Sequence, residues 1–127
     1  ILFACLFRED YKLADKAVTY VKERFRMKSF YFLYNGMLQA RQGNRAGALA
    51  MCDSLDALSA SENIQKSYFA LIHAALSDKK KMYEYLNEAL QSRESFHFFI
   101  KIFPEFVSCK NDPEYQKIAR EIWIPRD

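Results

Sequence analysis

Residues of matching character return every 34 positions along this chain. Ala14, Ala48 and Met82 stand one interval apart, as do Val18, Cys52 and Leu86, and Val21, Leu55 and Ala89. A fixed period of this kind constrains the fold more than any single motif: each period is one supersecondary unit that cannot bury its apolar face alone. Inside the intervals the apolar spacing is helical. Ala14, Ala17, Val18, Val21 and Phe25 follow an i, i+3, i+4, i+7, i+11 stripe, with Lys12, Lys16, Glu23 and Arg24 off it.

The stretch Tyr34–Leu55 holds the core of one unit, two short helices joined at Gly43-Asn44. Gly36 lies on the first helix, and Ala48, Cys52 and Leu55 line the inner face of the second. A glycine inside a helix costs about 1 kcal/mol against alanine, and the usual reason to keep one is that a second helix needs the space. Just upstream, Phe30 to Tyr34 are five consecutive apolar or aromatic residues, which predicts a helix sandwiched on all sides. Asn44 caps a helix ending near Leu58. Ser59-Ala60-Ser61-Glu62 then offers a capping box for the next helix, whose apolar positions include Ile64, Tyr68, Leu71, Ile72 and Ala75. Asp78 caps another, with Met82, Leu86 and Ala89 inward. Beyond Arg93, FHFFIKIFPEF predicts a short helix and a turn covering the end of the helical stack. Asp112-Pro113 starts a final helix to about Trp123 that buries Tyr115, Ile118, Ala119 and Ile122.

A helix–turn–helix unit of 34 residues is the tetratricopeptide period, and the chain resembles that family over about residues 1–96. In the family pattern Phe32 holds the Trp position, Gly36 the Gly position and Ala48 the Ala position. Gln39 stands where Tyr is usual, Cys52 where an aromatic is usual, and Ala60 where Pro ends the repeat. In the following unit Lys66, His73 and Met82 replace Trp, Tyr and Ala, while Ala70 and Ala89 stay small. The resemblance implies an all-α fold, a right-handed superhelix of antiparallel helix pairs. The expected organisation is one domain: a partial repeat at 1–28, repeats at 29–62 and 63–96, and a C-terminal capping segment at 97–127. Pro104-Glu105-Phe106, Asn111-Asp112-Pro113 and Ile124-Pro125 are similar to the ends of some bacterial tetratricopeptide proteins, some of them attached to winged-helix regulators or cyclases. The opening at Ile1, within a helical pattern, is expected of a piece of a longer protein.

Half of the residues are hydrophobic and 16% are aromatic, so there is apolar surface for a core, which argues against wholesale disorder. A formal charge of +3, with acids interleaved among the bases, gives no reason to expect nucleic acid. The apolar run ILFACLF is too short for a membrane span or a secretion signal. Cys5, Cys52 and Cys109 are scattered and odd in number, which points to reduced thiols and favours the cytoplasm. No Gly-rich phosphate loop, His-Glu-x-x-His, Gly-x-Ser-x-Gly or Cys-x-x-Cys occurs. His73 and His97 lie in different units, and His73 takes a core-packing position. Neither an enzyme built on Cys5, Cys52 or His73 nor a metal or cofactor site is expected.

The expected function is non-enzymatic binding of a protein or peptide. In the resembling family the first helices line the concave face, and equivalent positions stack into ladders. Phe3, Met37 and Leu71 form one such row, and Phe7, Arg41 and Ala75 another; Tyr34 pairs with Tyr68, and Phe30 with Ile64. Phe3, Phe7, Phe30, Tyr34, Met37, Arg41, Tyr68 and Leu71 are therefore the candidate partner-binding residues, of types enriched at interfaces. The same side chains also fit a plain core. Leu33, Met37 and Leu71 replace the polar residues with which some relatives grip chaperone tails, so that activity does not carry over. The alternative function is a sensor or assembly domain of a bacterial transcriptional regulator, with homo-oligomerisation left open. Lys79-Lys80-Lys81 reads either as a solvated helix start or as a patch for an acidic partner.

Overall fold

Left-handed residues at helix ends turn this chain back on itself. The computed structural model describes residues 12, 13, 15, 16, 19, 28–96, 100, 101 and 103–123. Its helices include α1 (Lys28–Arg41), α2 (Arg45–Leu58), α3 (Lys66–Ala75), α4 (Lys79–Gln91), α5 (Pro104–Val107) and α6 (Pro113–Trp123). No strand occurs among the described residues. The chain divides into two compact units, Ile1–Ile64 and Gln65–Asp127.

In the first unit α1 packs on α2. Small and medium side chains are buried on both helices: Gly36 and Ala40 on α1, Ala48, Cys52 and Leu55 on α2. Leu33, Met37 and Leu38 are fully enclosed around them. Gly43 makes the turn at a φ of 82°, a conformation in which a Cβ is penalised. Its N–H donates to Ala40 O at 3.1 Å and the Asn44 N–H to Gln39 O at 2.8 Å, the two bonds of a Schellman ending. Asn44 then caps α2, its side chain accepting from the Gly47 N–H at 3.0 Å.

The second unit repeats this turn 34 residues later. Ser77 takes the left-handed conformation at a φ of 61°. Its N–H donates to Ala74 O at 3.0 Å and the Asp78 N–H to His73 O at 2.9 Å. Asp78 caps α4 by accepting from the Lys81 N–H at 3.2 Å. The two capping residues share one backbone geometry, φ −89° and ψ 81° at Asn44, φ −93° and ψ 81° at Asp78. α3 packs on α4, α6 on α4 and α5 on α3. Phe96, Ile100, Phe103 and Phe106, from the aromatic stretch, are buried with Ile118 of α6. Tyr115, Ala119 and Ile122 are only half-buried.

One expected start signal is used differently. Ser59–Glu62 is not a capping box: the Ser59 and Ser61 hydroxyls donate back to Asp56 O and Leu58 O, finishing α2. α3 begins later, at Lys66, with Gln65 as a cap lacking a side-chain bond. Its first amides are met instead by Glu94, whose carboxylate accepts from the Lys66 N–H at 2.7 Å and the Ser67 N–H at 3.1 Å. Arg93, left-handed at a φ of 56°, turns the chain so that Glu94 reaches them. A carboxylate on the orphan amides of a helix start is favoured by both hydrogen bonding and the helix dipole.

Candidate functional site

The described members of the row expected to face a partner divide into half-buried and enclosed side chains. Met37 and Leu71 have no exposed surface and Tyr34 keeps 7%, so these three are core side chains. The reason lies in the 100° step of a helix. Met37 sits about 40° around α1 from Leu33 and about 60° from Ala40, within the stripe that packs inward. Phe30 and Arg41 on α1, and Tyr68 on α3, are half-buried and keep part of their surface. Phe30 stacks on Tyr34 with ring centroids 6.0 Å apart and 12° between planes. Burial raises the Tyr68 hydroxyl pKa, and the nearby Glu94 charge adds to the rise. Phe3 and Phe7 lie outside the described residues.

α1 also carries a polar line that the apolar pattern concealed. The Asn35 amide donates to Met51 Sδ at 3.3 Å, and the Gln39 amide to Asn35 Oδ1 at 3.3 Å. The Asn44 amide in turn donates to Gln39 Oε1 at 2.8 Å. One period on, His73 and Asp78 occupy the places of Gln39 and Asn44, with His73 Nδ1 3.9 Å from Asp78 Oδ2. His73 is 6% exposed and stacks on Tyr85 at 5.5 Å, which stacks on Phe69 at 5.1 Å. It is a packed core histidine.

A second cluster joins α4 to the start of α6. Asp112 Oδ2 accepts from the Tyr83 hydroxyl at 2.8 Å and from Lys79 Nζ at 3.1 Å. Those donors hold the Asp112 carboxyl below its usual range, the tyrosine bond contributing most. Burial pushes the Tyr83 hydroxyl well above its usual pKa, and donation to Asp112 adds to that. Lys79 is raised in turn, first by its hydrogen bond to Asp112. The lysine run is thus partly spent inside the molecule, since Lys79 is the cation that Asp112 holds. Beside the cluster lies a depression of about 460 Å³ lined by Lys80, Tyr83, Glu84, Asn87, Asp112, Pro113 and Glu114. The Asn87 amide donates to Tyr83 O at 2.9 Å, and so fixes one wall. An Asp-Pro pair signals a helix start, but a carboxylate turned towards residues 29 and 33 positions away has no local signature.

Cys52 and Cys109 are buried. Burial, with help from the Asp53 charge, pushes Cys52 up to about 11, so at neutral pH it is a thiol rather than the thiolate that a nucleophile requires. No group of three or more metal-ligating side chains occurs among the described residues. None of the described helices is long and apolar enough to cross a membrane. In comparisons with protein-family models, curated proteins and solved structures, nothing matches this chain.

Proposed function

We propose that this chain is a non-enzymatic protein-interaction module made of tetratricopeptide-like hairpins. The observation that carries this reading is the recurrence of one turn at the 34-residue period. Gly43 and Ser77 are both left-handed, and Asn44 and Asp78 cap the next helix with nearly the same backbone angles. Small or apolar residues fill equivalent buried places: Gly36 and Ala70, Ala48 and Met82, Cys52 and Leu86, Leu55 and Ala89. A repeated hairpin with an interior this regular is how solenoid proteins build extended binding surfaces, and a right-handed superhelix is the stacking that the resemblance implies. The burial of Cys52 as a thiol and the stacking of His73 on Tyr85 support a structural reading of both side chains.

Each hairpin offers a partner its own first helix, through Phe30 and Arg41 on α1 and through Tyr68 on α3. The guest is a peptide or amphipathic helix with apolar side chains to set against Phe30 and Tyr68. Panning a display library of peptides against the protein tests this. Enriched peptides should carry apolar positions, and Tyr68→Ala or Phe30→Ala should weaken them about tenfold or more, as at an interface hot spot, with little change in Tm. A library that yields no enrichment, or peptides indifferent to both substitutions, overturns the reading.

A further inference from the structure

We draw no further inference here: the strongest candidate, the depression between α4 and the first turn of α6, has Glu84 and Glu114 set against Lys80 on its rim, with Asp112 already held by Lys79 and Tyr83, and nothing in the structure shows what covers it.

Discussion

Asp112 gives a single carboxylate oxygen to two donors on α4, Tyr83 and Lys79. Its depressed pKa has a definite consequence for stability. The unfolded chain binds the proton more readily than the folded one, so the contribution is complete above the ordinary value of 3.8 and is lost as the pH falls through the lower folded value. Asp112→Asn removes that contribution. Melting temperatures measured from pH 6 down to pH 2 should converge for the two proteins at the acid end, the variant being the less stable above pH 4. Parallel curves across the whole range would mean that the carboxylate is not engaged in solution. The two left-handed turn residues give a paired prediction. Nothing lies within 4 Å of a Cβ built on Gly43, so Gly43→Ala is resisted by its backbone alone and should cost about 1 kcal/mol. Ser77 adopts the same conformation with a side chain, so Ser77→Gly should stabilise by a few tenths to about 1 kcal/mol. Urea denaturation of both variants reads the opposite signs.

At the scale of elements, Glu94 has the place that a local cap would hold. α3 is only ten residues long and starts without a side-chain bond from Gln65, so its first two amides depend on a carboxylate from beyond the end of α4. Glu94→Ala should therefore cost about 1–2 kcal/mol, the usual worth of a capping side chain. Hydrogen exchange distinguishes this from a general loosening: the Lys66 and Ser67 amides should lose more protection than those in the middle of α4. The aromatic stretch after Arg93 is better explained by its contacts than by its helicity. Phe96, Phe103 and Phe106 are almost wholly buried although α5 spans just four residues. Here helix propensity has little weight, and packing against α3 makes the element.

At the scale of the whole molecule, each compact unit rests on a hairpin whose two helices approach through small or aliphatic side chains. Ala48 in one unit and Leu86 in the other have no exposed surface. Ala48→Phe should overpack the contact between α1 and α2 and cost about 1–3 kcal/mol or more. Leu86→Ala should leave a cavity and cost about 2–5 kcal/mol. Guanidinium unfolding of the full chain checks both, and an Ala48→Phe protein as stable as the parent would mean that α1 and α2 do not approach in this register.

Much of what reaches no further than about one helical turn was legible in the sequence, the Ser59–Glu62 turn and the Gln39–Asn35 bond being exceptions. The helical stripes, the turn at Gly43-Asn44, the caps at Asn44 and Asp78 and the start of α6 at Pro113 all follow from such short-range chemistry, and the 34-residue interval says that it recurs. Tertiary structure decided what that range cannot encode. The stripe holding Phe30, Tyr34, Met37 and Arg41 is compatible with a groove or with a core until a second helix fixes which part turns inward. Packing encloses Tyr34 and Met37 and leaves Phe30 and Arg41 half-buried. Likewise Glu94 and Asp112 are ordinary acids by position, and their partners lie 27 to 33 residues away. A carboxylate selects its donors by proximity in the folded chain, and that proximity exists only once the helices have packed.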